Sequence, residues 1–211
     1  MRTKSINDAL LRTISAERLQ KYLDHTNNDL HAALGLYEKN IRLSEAFYTP
    51  LQCVEICLRN VINEVMKVTY GDNWLNEDQS PLDVDSLRLI IEARSELREK
   101  AQPLAPGKII AQLRFGFWVG LLGRRYDNTL WRKCLHAAFR ARGSKTRAEV
   151  HGRFNAIRRL RNRIAHHEPI LWDRTPLDQM HREIIEAIAW MCPATAEWAA
   201  HHSRVTSVLS T

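Results

Sequence analysis

The sequence predicts an all-α fold, organised as a helical bundle with additional N-terminal and connecting helices. Apolar residues recur at the three- and four-residue spacing of amphipathic helices along most of the 211 residues. No convincing alternation of apolar and polar residues, the pattern of a half-buried strand, is found. The composition, 45% hydrophobic and 26% charged, is that of a globular chain. We expect one domain over residues 1–211, with a helical extension in residues 1–50 and the bundle core in residues 51–203.

The N-terminal extension should contain two helices. Ser15 can cap a short one, and a longer one should begin near Asp29, after Asn27 or Asn28. Pro50 is expected to interrupt or kink the longer helix, because proline removes a backbone hydrogen bond and clashes with the preceding turn.

The bundle core should contain six further helical segments. Residues 51–70 are apolar around most of the helix circumference, which is typical of a helix in the middle of a bundle, and Gly71 should end it. Residues 83–100 form a charged amphipathic segment. The remaining helices are predicted at residues 108–122, 130–140, 145–167 and 175–202, before a terminal tail that frays.

The distribution of charge and the motifs in the sequence limit the classes of function that we expect for this chain. The formal net charge is +7, and much of the Lys and Arg excess lies in residues 140–163. This clustering favours a polyanion such as nucleic acid as partner, with a solvated basic helix face as the alternative. The longest apolar stretch, near residues 115–123, is far below a membrane span, so we expect no membrane partner and a cytoplasmic location. No Gly-rich phosphate loop, HExxH motif or nucleophile elbow is present.

No metal or cofactor site is predicted. The four cysteines form no CxxC pair and are interpreted as buried free thiols: Cys53, Cys57, Cys134 and Cys192. His201 and His202 have no cysteine or carboxylate nearby at ligand spacing, so they are interpreted as a surface tail.

Candidate functional residues lie at the C-terminal end of the helix predicted at residues 145–167. On a helical wheel of about 100° per residue, Arg161 falls within the apolar stripe of Val150, Phe154, Ile157 and Ile164. A charge there is costly unless an anion meets it.

Asn162 and His166 share a second face of this helix, because they are four residues apart. Arg161 and His166 can act on one ligand only if the long Arg161 side chain wraps round the helix, if the last helical turn is distorted, or if a second subunit supplies one of the two residues. An imidazole can move protons at neutral pH, and an arginine can stabilise charge on a phosphorane-like transition state. The alternative is a structural ion pair at Arg161 and a helix-ending polar residue at His166.

Three sequence blocks carry a family resemblance. Arg161 to His166, read RNRIAH, resembles the RNxxxH signature of HEPN ribonucleases, and the following His-Glu-Pro resembles their Abi-like (abortive infection) branch. Residues 109–118, IIAQLRFGFW, resemble the LxFGFW block of that family, and residues 55–60, EICLRN, resemble its ExxLRN helix. The three blocks occur in order over about half of the chain.

The resemblance implies a HEPN-like helical bundle that cleaves RNA without metal or other cofactor and leaves a 2′,3′-cyclic phosphate and a 5′-hydroxyl. His166 would be the acid or base, Arg161 would bind the scissile phosphate, and Asn162 would orient one of them or the RNA. It also implies a homodimer, an RNA substrate and a setting in phage defence or toxin–antitoxin control, with a protein or an RNA antitoxin.

Further residues are candidates for supporting roles. Glu55, Arg59 and Asn63 form a narrow polar stripe on an otherwise apolar helix, and we expect Glu55 or Asn63 to face the RNxxxH segment. The alternative is an ordinary ion pair between Glu55 and Arg59. The candidate RNA contacts, each of which could equally be a solvated charge, are Lys145, Arg147, Arg153, Arg158 and Arg159.

Two further function classes remain open from the sequence. One is a catalytically inactive helical module that binds RNA, DNA or a partner protein through the basic segment. The other is a regulatory, antitoxin-like subunit, which would not specifically require Arg161, Asn162 and His166.

Overall fold

A computed structural model describes residues 2–172 and 174–211, apart from the side chain of Glu77. These residues form α-helices and short 3₁₀ and π turns, with no strand among them, so the predicted all-α class is confirmed. None of the described helices combines the length and the apolarity needed to cross a bilayer. The helices are α1 (Lys4–Ile14), α2 (Ala16–Asp24), α3 (Leu30–Tyr70), α4 (Val84–Glu99), α5 (Pro106–Gln112), α6 (Phe115–Gly120), α7 (Arg147–Ala165), α8 (Leu177–Met191), α9 (Pro193–His202) and α10 (Val205–Leu209).

Helix α3 is the central element of the fold. The Asp29 carboxylate accepts a hydrogen bond from the Ala32 N–H at its start, and Gly71, with φ +83°, ends it. The helix continues for 41 residues through Pro50, so the interruption, one of the two predicted effects of this proline, does not occur. A proline inside a helix costs about 3 kcal/mol. Burial on both sides of the proline offsets this cost, through Leu43, Ala46, Phe47, Leu51, Val54 and Leu58.

Helices α6, α7, α8, α9 and α10 pack on α3, and together they form the main apolar core. A second, smaller core lies between α2 and the start of α3, around Leu19, Tyr22, Ala33 and Leu34. The boundary predicted at residue 50 falls inside α3, which joins the two cores.

Two predicted helices are each divided in the structure. The helix predicted at residues 108–122 is split into α5 and α6 by extended backbone at Leu113 and Arg114. The helix predicted at residues 175–202 is broken at Cys192, whose φ of −151° is extended. Pro193 explains the second break, because a residue that precedes proline disfavours helical geometry.

Other segments also depart from the predictions. Helix α1, which no sequence signal indicated, is capped by the Thr3 hydroxyl and meets α2 at Ser15, whose φ is +83°. The helix predicted at residues 130–140 is instead a series of 3₁₀ and π turns. The final residues form α10, whose Val205 is fully buried.

Candidate active site at the end of α7

A groove between α3 and α7 brings together the charged residues of two of the sequence blocks. Arg161 Nε lies 3.4 Å from Glu55 Oε2, and Arg59 lines the same groove one turn further along α3. The groove has a volume of about 370 Å³, and apart from Gln52 its other walls are apolar: Tyr48, Leu51, Ile56, Ile164 and Ala165. Two arginines and one carboxylate leave it with a net positive charge, which suits an anionic ligand.

The anion expected beside Arg161 is the Glu55 carboxylate. Arg161 is not sealed in the core, because 40% of its side chain is exposed, against 27% for Glu55. Deeper positions of the same helix face carry apolar residues that are fully buried, Val150, Phe154 and Ile157. The arginine therefore occupies the rim of the apolar stripe, where it retains access to solvent and to a ligand.

Helix α7 has well-defined ends that fix the RNxxxH segment. At its start, Thr146 and Glu149 form a capping box. At its end, the Glu168 N–H donates to the Arg163 carbonyl and the His167 N–H donates to the Ile164 carbonyl. This is a Schellman arrangement, in which His167 takes the left-handed φ of +57° that glycine usually supplies. His166 is consequently the C-cap residue, directly after the last residue of α7, and its side chain is exposed.

The chain that leaves α7 is tied back to the N-terminal helices. Arg163 donates to the Pro169 carbonyl, and Arg18 of α2 donates to the His167 carbonyl at 2.8 Å. The buried Ile170 N–H donates to Asn40 Oδ1 of α3 at 2.7 Å. These bonds hold the end of α7 against α2 and α3, so the position of His166 depends on elements far away in sequence.

Asn162 and His166 lie on a different face of α7 from Arg161. The groove is lined by Arg161, Ile164 and Ala165, and neither Asn162 nor His166 contributes to it. Within the described part of the chain, the side chains of these two residues make no hydrogen bond to protein. One chain therefore brings Arg161 to Glu55 but does not join Arg161 to His166.

The three candidates for supporting roles also differ in whether the structure places them near Arg161. Glu55 faces the RNxxxH segment and forms its ion pair with Arg161 rather than with Arg59. The Nε of Arg59 contacts Asn60 Oδ1 at 3.4 Å. Asn63 is buried and accepts a hydrogen bond from Trp74 Nε1, so Glu55 is the one of the two alternatives that faces the RNxxxH segment.

The predicted RNA-contact residues also differ in their availability. Arg147 donates to the Leu122 carbonyl and pairs with Asp127, with only 14% of its side chain exposed. Arg153 binds Glu183 and Glu186 and stacks on Trp190. These two arginines hold α7 to its neighbours, which argues against the RNA-contact interpretation for both.

The other three RNA-contact candidates remain more accessible. Arg159 is exposed, Arg158 contacts Asn155 and is half-buried, and Lys145 lies over the Trp190 ring. On the same helix, burial and then the charges of Arg147 and Arg158 lower the pKa of His151. Two arginines of α7 therefore act on this imidazole in addition to its burial.

The FGFW block packs behind the groove. Phe115, Phe117 and Trp118 are buried, and α6 contacts both α3 and α7. A Cβ added at Gly116 would lie 3.9 Å from Arg158 Cδ, so a glycine is not needed there for close approach. The block therefore acts as apolar support for the two helices that form the groove.

Sequence reasoning missed Tyr48 as a groove residue. Tyr48, Gln52, Glu55 and Arg59 lie on one face of α3 at three- and four-residue spacing. This spacing is present in the sequence, but it places Tyr48 on the same face as Glu55 only if the helix continues through Pro50.

No cluster of three or more potential metal ligands occurs among the described residues. In the comparisons with known proteins, the chain matches no family model, no curated protein and no solved structure.

The half-exposed Glu55–Arg161 pair should contribute little to stability. We expect Glu55→Gln to lower the free energy of unfolding by less than about 1 kcal/mol, because solvent screens such a pair. Urea denaturation followed by circular dichroism measures this, with Glu45→Gln, which breaks the exposed pair to Arg204, as the matched control. A loss above about 2 kcal/mol, confined to Glu55→Gln, would identify the pair as structural.

Proposed function

We propose that this chain is a metal-independent endoribonuclease of the HEPN type, acting in phage defence or as the toxin of a toxin–antitoxin pair. The observation that carries the proposal is the meeting of the three family-like sequence blocks. The helices that carry these blocks, α3, α6 and α7, contact one another pairwise, and the ExxLRN-like and RNxxxH-like segments line one groove. The Glu55–Arg161 ion pair joins two of these blocks, which are separated by about a hundred residues in sequence.

The charged residues have roles that follow from RNA chemistry. The ribose 2′-oxygen attacks the neighbouring phosphorus as its proton passes to a base, and the bond from phosphorus to the 5′-oxygen breaks as that oxygen gains a proton. His166 is the exposed group that can move protons, and Arg161 is the cation that can stabilise the phosphorane charge. Asn162 shares the face of His166 and can orient it or the RNA. Glu55 positions the Arg161 guanidinium.

Joining Arg161 to His166 requires a second chain in this proposal. The two side chains leave α7 on different faces, and the groove at Arg161 excludes His166. A homodimer that places the α7 ends of two copies side by side brings the Arg161 of one subunit to the His166 of the other. Symmetric association produces two such composite sites per dimer.

The biological setting follows from the reaction. A ribonuclease without a cofactor requirement is harmful to its own cell unless it is restrained, which accords with control by a protein or RNA antitoxin. The alternative function is an inactive RNA-, DNA- or protein-binding module that uses the half-buried Arg158 and the exposed Arg159 of α7. The separation of Arg161 from His166 within one chain favours this alternative function.

Cleavage of RNA in the presence of EDTA is the expected activity of the purified protein. Products should carry 2′,3′-cyclic phosphate and 5′-hydroxyl ends, and His166→Ala should lower the rate by about 10²- to 10⁴-fold, the contribution typical of general acid–base catalysis. His201→Ala, at an exposed histidine of α9, is the matched control. Glu55→Gln should slow cleavage while the protein stays folded. Binding without cleavage, or cleavage that survives His166→Ala, would favour the binding module or another active site.

Mixing two inactive variants tests the composite site. Arg161→Ala and His166→Ala proteins, unfolded together and refolded, should recover about a quarter of the wild-type rate, because half of the dimers are mixed and each has one intact site of two. Each variant refolded alone is the control. Absence of recovery despite mixed dimers detected by native mass spectrometry would mean that both residues act from one chain.

A further inference from the structure

A second groove lies on α3, next to the Arg161 groove, and three of the four cysteines line it. Its volume is about 430 Å³, and its lining includes Cys53, Cys57, Cys192 and the exposed Trp198. All the cysteines are free thiols, and the three do not form a metal-binding cluster within the described residues. The interpretation as buried thiols holds for Cys57 and Cys134, whereas Cys53 and Cys192 are partly exposed.

Cys192 has the surroundings of a reactive thiol. It is the residue before Pro193 and occupies the N-terminal cap position of α9. Because proline has no N–H, the first free amides of this helix are those of Ala194 and Thr195. The Thr195 hydroxyl and then these amides lower the pKa of Cys192, although none closes a capping hydrogen bond. The thiolate is the nucleophilic form of cysteine, so its population decides reactivity.

Cys57 is the buried neighbour of Cys192. Burial first, and then the charges of Cys192 and Cys53, raise the pKa of Cys57 to about 11. The thiol of Cys57 is therefore protonated and unreactive alone, yet it lies within the electrostatic reach of Cys192. Cys134 lies elsewhere in the core, with its sulfur 3.8 Å from that of Met66, and provides an internal reference.

We propose that Cys192 is a peroxide-reactive thiol and that Cys57 is its resolving partner. The Cys192 thiolate attacks one oxygen of a hydroperoxide, the O–O bond breaks, and the cysteine becomes a sulfenic acid while the peroxide is reduced to water or an alcohol. The Cys57 sulfur then attacks the Cys192 sulfur. The S–O bond breaks, water leaves with the Cys57 proton, and a disulfide forms.

The disulfide would connect α9 to α3 beside the Arg161 groove. The two grooves share Gln52 and Ile56, which form the ridge between them, and Cys57 is two residues from Glu55. The site is independent of the proposed ribonuclease activity, because it needs only the thiols and a hydroperoxide. If that activity exists, the covalent connection gives oxidation a direct structural route to Glu55.

Thiol counting after treatment with hydrogen peroxide tests the proposal. We expect the free thiols of the full-length protein to fall from four to two, and peptide mapping to find Cys57 joined to Cys192. Before peroxide, Cys192 should react with iodoacetamide roughly tenfold faster than Cys134. Retention of four thiols, at a dose that oxidises glutathione completely, would overturn the proposal. A disulfide from Cys192 to Cys53 would overturn the assignment of Cys57.

Substitutions at Cys57 and Cys192 test the resolving role and the peroxide-reactive role separately. Cys57→Ala should stop disulfide formation and let a sulfenic acid accumulate on Cys192, where dimedone labels it; Cys192→Ser should abolish both products. Cys134→Ala, the matched control, should leave the disulfide intact. If Cys57→Ala does not fold, the peptide map of the wild-type protein decides alone. Dimedone labelling of Cys134 in place of Cys192 would contradict the proposal.

Discussion

Continuity of α3 through Pro50 is the constraint on which the other features depend. A helix of 41 residues extends over about 60 Å, enough to reach both apolar cores and every candidate site. Asn40 near one end holds the chain that leaves α7, Glu55 near the middle meets Arg161, and Cys57 faces α9. A helix that ended at Pro50 would separate the anchor of the α7 end from the carboxylate that positions Arg161. The buried packing around the proline is therefore a requirement of the site as well as of the fold.

Helix α7 presents its charged residues on two faces with different surroundings. Arg161 points to α3 and has a carboxylate partner, whereas Asn162 and His166 face away and have no protein partner among the described residues. The end of the helix is nevertheless fixed, by the Schellman bonds and by the contacts to Arg18 and Asn40. A rigid helix end that presents an unpaired imidazole is suited to contact with another molecule. The proposed two-chain site rests on this arrangement.

The sequence predicted what depends on local pattern and missed what depends on tertiary packing. The bounds of α4 and α7, the stop at Gly71 and the facing of Glu55 toward the RNxxxH segment follow from periodicity and caps. The passage of α3 through Pro50 does not, because proline is a breaker unless distant residues pack around it. The burial of Asn63 beneath Trp74 and the pairing of Arg153 with α8 likewise depend on partners that no local pattern names. The break at Cys192 is predictable from Pro193, because a residue before proline disfavours helical geometry.

Cleavage of an RNA that carries a single 2′-deoxyribose at a mapped cut position tests the central claim most directly. The ribose 2′-hydroxyl is the proposed nucleophile, so cleavage at that position should disappear while neighbouring cuts persist, in EDTA and with wild-type protein. Continued cleavage at the deoxy position would show that another nucleophile, such as water, attacks the phosphate. That result would contradict the mechanism assigned to Arg161 and His166.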